Sequence, residues 1–292
     1  MRDLCDVTAF TSGTIWILFL CLHLEIGKCS ATRKKAFCEM EAIKVFVRVR
    51  PIENQTTNSI TISSNNKLLS INSNRQIQCQ YDHVFGPKAT QEEVYSRVKS
   101  CIKSALQGYN CTIMAYGQTS SGKSHSMFGS NGDIKSNPGI VPRSIRDIFE
   151  GLLATSREAT MVHISFMQVY NEQVYDLYDK SMRPLSIHEK NGNIIIPKLM
   201  QYRVSNMEQC LALIDIGLKS RAVRETSMNN ASSRSHSILQ IFVEQNGIKR
   251  ISSKVNLVDL AGSERWLGNI CNEQKSELTN INSRYVEVKH RG

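Results

Sequence analysis

The chain has 292 residues, 41% of them hydrophobic, which is enough to build the core of one large α/β domain or two small ones, so disorder is not the default expectation. Lys and Arg number 36 against 26 Asp and Glu, a formal charge of +10 that favours an acidic partner such as nucleic acid, an anionic membrane or an acidic protein surface. The basic residues are scattered, with Arg33-Lys34-Lys35 the longest run and no interleaved aromatics, so a base-stacking nucleic-acid surface is not expected.

Nine cysteines at irregular positions, with no Cys-x-x-Cys pair, fit neither a disulfide framework nor a zinc site. They suit a reducing, cytoplasmic setting, and Cys79, Cys101, Cys111 and Cys210 read as small apolar core residues.

In chain order, the first feature is an eight-residue apolar run from Ile15 to Leu22, closed by His23 and Glu25. It is far short of the ~20 residues that cross a bilayer. Asp3 and Asp6 outnumber Arg2 where a secretory leader carries positive charge, so the match to such a leader is partial. Met40 stands just before the first clear strand pattern. Residues 1–39 are therefore expected to be an extension outside the folded unit, whose removal costs little.

Ile43, Val45, Val47 and Val49 alternate with Lys44, Phe46, Arg48 and Arg50, predicting a strand ended by Pro51. Thr90 and Glu93 form a capping box, after which Val94, Val98, Ile102 and Leu106 share one helical face until Gly108. An apolar run from Cys111 to Tyr116 enters a Gly-rich turn, and Val141 to Leu153 predicts a further helix. Met161 to Tyr170 alternates as a strand. Ser205 and Glu208 suggest a second capping box before a helix over Leu211 to Leu218, followed by strands at Ser237 to Val243 and Val255 to Leu260. Alternating strands and helices predict an α/β fold with a mostly parallel central sheet and helices on both faces.

Gly117-Gln118-Thr119-Ser120-Ser121-Gly122-Lys123-Ser124 matches G-x-x-x-x-G-K-[ST] directly after a strand, where the mechanism requires it. The glycines let backbone amides converge on phosphates, Lys123 brings a cation to the β/γ oxygens, and the Ser124 hydroxyl can ligate Mg²⁺. Such a loop suits a GTPase, a helicase, a transporter ATPase or a small-molecule kinase equally. Two later stretches narrow the choice. Asn229 to His236 places Ser232, Ser233, Ser235 and Arg234 before a strand, and Asp259-Leu260-Ala261-Gly262-Ser263-Glu264 ends a strand with an Asp three residues ahead of a Gly. That spacing lets the Asp hold a magnesium shell while an unhindered Gly amide donates to the terminal phosphate. Taken singly, Ser-rich stretches are ordinarily solvated loops and Asp-x-x-Gly is ordinarily a turn.

These two motifs, N-x-x-S-S-R-S-H and D-L-A-G-S-E, resemble the switch sequences of the kinesin superfamily without a mismatch. The likeness runs from about Ile43 to Ser283 and includes Arg48-Val49-Arg50-Pro51, Gly139-Ile140-Val141-Pro142-Arg143 and Tyr170-Asn171-Glu172. The resemblance implies a P-loop NTPase with a kinesin motor-type sheet and cofactors ATP and Mg²⁺. Arg48, Arg50 and Pro51 would line the adenine side with His125 near the base, and Gln118 to Ser124 would wrap the phosphates. Ser232 and Ser233 would meet the γ-phosphate, the metal and the attacking water. Ser124 and Ser233 would ligate magnesium, with Asp259 acting through water. Arg234 and Glu264 would pair across the two switches, and Asp259 and Gly262 would form the second switch.

Family motor domains continue past the second switch into tubulin-binding helices and a last strand that lies inside the sheet. Glu273 to Ser283 resembles the start of that region, and Arg284 to Gly292 matches no family pattern. The expected layout is an extension at 1–39, a partial motor domain at 40–283 missing the last strand and helices, and an unmatched tail at 284–292, with an open seam in the sheet. The resemblance implies the ATP-hydrolysing core of a microtubule motor, incomplete for motility, with tubulin as partner and neither nucleic acid nor a membrane span. The alternative is a non-motile nucleotide-binding protein derived from a kinesin.

Overall fold

A computed structural model describes residues 17–25, 43–51, 60–72, 76–130, 133–154, 159–190, 193–227, 234–246 and 250–264. In chain order the first elements are β1 (Ile17–Glu25), β2 (Lys44–Val49), β3 (Ile60–Ile62), β4 (Leu68–Asn72), β5 (Gln76–Gln80), β6 (His83–Phe85), α1 (Gln91–Leu106), β7 (Asn110–Gly117) and α2 (Lys123–Met127). There follow β8 (Gly129–Ser130), β9 (Asp133–Pro138), α3 (Ile140–Leu153), β10 (Ala159–Tyr170), β11 (Gln173–Asp176), β12 (Pro184–Leu185), β13 (His188–Lys190), β14 (Asn193–Ile195), β15 (Tyr202–Val204), α4 (Met207–Ser227), β16 (His236–Asn246) and β17 (Ile251–Asp259).

The predicted strands and helices therefore form close to where their periodicity put them. The Thr90 cap is made as expected: its side chain accepts from the Glu93 amide while the Glu93 carboxylate accepts from the Thr90 amide. The second cap shifts by one residue. Asn206, not Ser205, caps α4 by accepting from the Gln209 amide at 2.8 Å, and the Gln209 side chain accepts in return from the Ser205 amide at 3.0 Å. An Asn carbonyl reaches the third helical amide as well as a Ser hydroxyl does, so neighbouring Ser and Asn compete for the cap. The helix also runs on to Ser227, well past the expected end at Leu218.

Ten strands form the central sheet, in the order β12-β11-β10-β16-β17-β7-β1-β2-β6 with β15 also on β10. The sheet is mixed rather than mostly parallel. Only β17 with β7 and β2 with β6 pair parallel, and every other neighbour is antiparallel. Alternating strand and helix patterns over-predict parallel pairing here because β10 with β11 and β16 with β17 are joined by short connections, which need no crossover helix.

Ile164 and Ile241, Leu239 and Leu257, and Val255 and Cys111 face each other in register and share one side of the sheet. On that side α1, α3 and α4 close a core containing Val98, Ile102, Ile145, Ile148, Cys210 and Ile214. Helices on both faces were expected, yet among the described residues the three long helices all join this one core. A second core of Val47, Val49, Leu69, Ile71, Tyr81 and Val84 lies between β2 and the small sheet β3-β4-β5. The four cysteines read as core residues are free thiols, Cys101, Cys111 and Cys210 buried and Cys79 half-buried.

The largest departure from expectation is the apolar run. Ile17–Glu25 does not lie outside the fold: it is an interior strand between β2 and β7, so the expected open seam is filled. Length and end charges test only for a membrane or secretory segment, and carry no information about a strand slot formed by residues far along the chain.

Gly139 precedes α3 and donates to the Phe128 carbonyl at 3.3 Å. A Cβ there would sit 2.7 Å from the Met127 carbonyl carbon and oxygen and from the Ser126 carbonyl oxygen, and backbone cannot step aside. Gly139→Ala should therefore destabilise the fold by about 1–3 kcal/mol, measured by denaturant unfolding. A stability within error of the parent would show that α3 does not approach α2 this closely.

Candidate nucleotide-binding site

The sheet delivers two chain ends to one edge. β7 stops at Gly117 and opens the phosphate loop, while β17, paired parallel beside it, stops at Asp259 opposite Ala115. The loop turns at Gly122, whose φ of +100° favours glycine, and it leads into α2 with Lys123 and Ser124 at the front. Lys123 is buried, and its ammonium donates to the carbonyls of Gly117 at 2.9 Å and Gln118 at 2.7 Å. Burial lowers its pKa, and Arg221 adds to the lowering. The nearby carboxylates of Asp259 and Glu264 oppose it.

Asp259 is the electrostatic centre. Its Oδ2 accepts from the Ser124 hydroxyl at 2.7 Å and from Arg221 Nη1 at 2.8 Å, while the same Arg221 nitrogen donates to Ser237 Oγ at 3.0 Å. Both members of the ion pair are buried. The other carboxylate oxygen, Oδ1, is buried without a hydrogen-bond partner among the described residues.

After Asp259 the chain stays fastened to β7. The Leu260 amide donates to the Ala115 carbonyl at 3.2 Å and the Ser263 amide to the Gly117 carbonyl at 3.1 Å. The Ala261 amide donates to His236 Nδ1 at 3.0 Å, so the histidine that ends the N-x-x-S-S-R-S-H stretch holds the D-L-A-G-S-E stretch. The Glu264 carboxylate folds back onto the phosphate loop, accepting from the Thr119 amide at 2.9 Å and from the Thr119 hydroxyl. Gly262 lies beneath this contact, and a Cβ there would collide with the Glu264 carboxylate and Thr119 Oγ1.

The opposite wall comes from β2. Arg48 donates through Nη1 to Gln91 Oε1 and Ser126 Oγ, both at 2.8 Å, and through Nη2 to the Ala89 carbonyl at 3.1 Å. Gln91 in turn donates to the His125 carbonyl at 2.6 Å. Arg50 donates to the Ser120 carbonyl. Burial holds His125 below the usual imidazole pKa, and the guanidinium charges of Arg48 and Arg50 lower it further.

Between these walls lies a cavity of about 890 Å³, lined by Arg48, Arg50, Pro51, the loop from Thr119 to His125, Arg221 and Asp259. That volume suits a nucleotide. Gly117 and Gln118, which open the loop, are not among the residues lining the cavity and contribute carbonyls to Lys123. Gly262 and Glu264 join the site through Thr119. Arg234 is half-buried at the entry to β16, and Ser232 and Ser233 lie outside the described residues. Three participants were missed from sequence: Gln91, Ser126 and Arg221. Arg221 meets Asp259 across 38 positions, and in sequence it is one of several charges on a helix, with no motif to single it out.

The kinesin motor domain profile matches residues 33–287. The chain belongs to the kinesin motor domain family. It is 39% identical over 239 residues to kinesin-like protein KIN-7N of Arabidopsis thaliana, covering 77% of this chain and 28% of that one. It is 38% identical over 237 residues to kinesin heavy chain of Strongylocentrotus purpuratus, covering 76% of this chain and 22% of the relative. This kinesin chain thus spans about a quarter of the length of those curated relatives. A solved structure of a fast kinesin superposes with a TM-score of 0.74 at 30% identity, covering 80% of this chain and 70% of the other. The kinesin fold is that of a P-loop NTPase, in line with the loop, the mixed sheet and the helices described above.

Among the described residues no group of three His, Cys, Asp or Glu could hold a metal alone, and no helix is long and apolar enough to cross a membrane. A magnesium ion fits the site nonetheless, because that ion needs only one or two protein oxygens beside substrate phosphates. Ser124 Oγ can supply one directly, and the unpartnered Asp259 Oδ1 can accept from a water on the ion.

Proposed function

We propose that this chain binds ATP with Mg²⁺ in the cavity between β2, the phosphate loop and β17, and hydrolyses it as the nucleotide-driven core of a microtubule motor. The observation that carries this reading is Asp259, whose Oδ2 is held by Ser124 and Arg221 while its buried Oδ1 has no partner among the described residues. A buried carboxylate oxygen left unpaired is costly unless a ligand completes it.

Ser124 and Ser233 would hold Mg²⁺, and Asp259 would do so through water; the ion would neutralise charge on the β and γ oxygens. The remaining work falls to the chain itself. Lys123 transfers its hydrogen bonds from the Gly117 and Gln118 carbonyls to phosphate oxygens. The Gly262 amide donates to the γ-phosphate, and Ser232 and Ser233 orient the attacking water. Glu264 leaves Thr119 and pairs with Arg234, closing the site. Positioning and electrostatics supply the catalysis, with no covalent nucleophile. The family and the +10 charge support the acidic surface of a microtubule as partner and the cytoplasmic cytoskeleton as location.

Titration with a fluorescent ATP analogue should show saturable, magnesium-dependent binding displaced by ATP, and the bound ATP should be hydrolysed with release of phosphate. Absence of binding by the folded protein would overturn the reading.

A further inference from the structure

The strand β1 occupies a position that couples the two walls of the nucleotide cavity. It pairs antiparallel with β2 from Ile17 opposite Val49 to Leu22 opposite Lys44, and with β7 from Leu18 opposite Gly117 to Glu25 opposite Asn110. β2 and β7 thus run parallel to each other, one strand apart. On its other side β2 has only the short β6, and β7 has β17. Without β1 the central sheet would separate into a large piece ending at β7 and a small one made of β2 and β6.

The division would pass through the cavity. Arg48, Arg50 and Pro51 come from β2 and its end, whereas the phosphate loop leaves from β7. Leu18 is the register partner of both Arg48 and Gly117, the last residue of β7 before the loop turns. A strand spacing is ~4.8 Å, so the intervening strand holds the two walls ~10 Å apart. The composition fits the slot: seven of nine positions in Ile-Leu-Phe-Leu-Cys-Leu-His-Leu-Glu are apolar, the near-continuous pattern of a strand covered on both faces rather than the alternation of a half-exposed one.

We propose that residues 17–25 are a positioning strand for the nucleotide site, setting the distance and register between the base-side wall and the phosphate loop. The apolar run is consumed by the sheet, so in the folded protein it is unavailable to a membrane or a translocation channel. The effect on nucleotide rests on the ATP reading above, while the strand placement does not.

Cys21 is the register partner of Val45, and directly opposed residues in an antiparallel pair have Cα atoms ~4.5–5.5 Å apart, within the range a disulfide spans. Oxidised Val45→Cys full-length protein should form a disulfide to Cys21, mapped by peptide mass spectrometry, whereas Val47→Cys, whose partner is Phe19, should not link to Cys21. In the unaltered chain the amides of residues 18–24 should exchange with deuterium far more slowly than in a free peptide. Deleting residues 1–39 should weaken binding of the fluorescent ATP analogue at least tenfold, and a synthetic peptide of residues 15–27 added in trans should restore it. Peptide-like exchange in the unaltered chain, or no Cys21 linkage with Val45→Cys, would overturn the strand placement whether or not the deletion variant folds. Undiminished affinity in the deletion variant would overturn the positioning role. A full chain that forms the Cys21 linkage but binds no nucleotide would uphold the strand and sink the ATP reading instead.

Discussion

Lys123→Ala should weaken ATP binding by about a hundredfold or more, the penalty for truncating one partner of a buried, charge-assisted contact. The ammonium is buried and already hydrogen-bonded to the Gly117 and Gln118 carbonyls, so it is held in the loop before any ligand arrives. Loop amides alone cannot offset the β/γ charge. Because both of its acceptors belong to the loop, the melting temperature should move little. The pH dependence has a definite sign. Burial lowers the Lys123 pKa, so as pH rises the ammonium loses its proton before an ordinary lysine at ~10.4 would, and ATP affinity should fall with it. Titration with a fluorescent ATP analogue across pH measures both effects. An unchanged affinity in the variant would refute the pocket assignment.

Glu264→Ala should separate binding from turnover. In the structure the Glu264 carboxylate sits on the Thr119 amide and hydroxyl of the phosphate loop, an anion on the surface that an anionic ligand would use. Removing it removes a competitor, so ATP affinity should stay the same or tighten. Hydrolysis should fall by about a hundredfold, the size of losing one electrostatic contact that forms only as the site closes. Single-turnover kinetics beside equilibrium binding distinguish the two. Binding lost while turnover per bound nucleotide holds steady would count against the closing role of Glu264 and its pairing with Arg234.

The Glu264 contact also shows how sequence and structure divide the evidence. D-L-A-G-S-E can be read as a candidate phosphate-responsive motif because its spacing is local: an Asp at a strand end, then a Gly that has no room for a side chain. Thr119, by contrast, is 145 positions away, and nothing in either motif names the other as its resting partner. Arg48 illustrates the same limit. The resemblance implies a place on the adenine side for it, while in the structure its bonds to Gln91 and Ser126 hold α1 and α2 together and make it part of the frame.

By itself the sequence determined the elements whose forces act over a few residues: the alternation of β2, the Thr90 capping box of α1, the strand-then-loop of the phosphate site, and the two switch motifs that place the chain among kinesins. Only the tertiary structure decided what depends on residues far apart meeting: antiparallel pairing across most of the sheet, Arg221 on Asp259, and the slot between β2 and β7. The run Ile17–Glu25 is the sharpest case. Its hydrophobicity was plain, but an apolar segment specifies only that it must be covered, and what covers it here is a pair of strands whose spacing is set by the rest of the sheet.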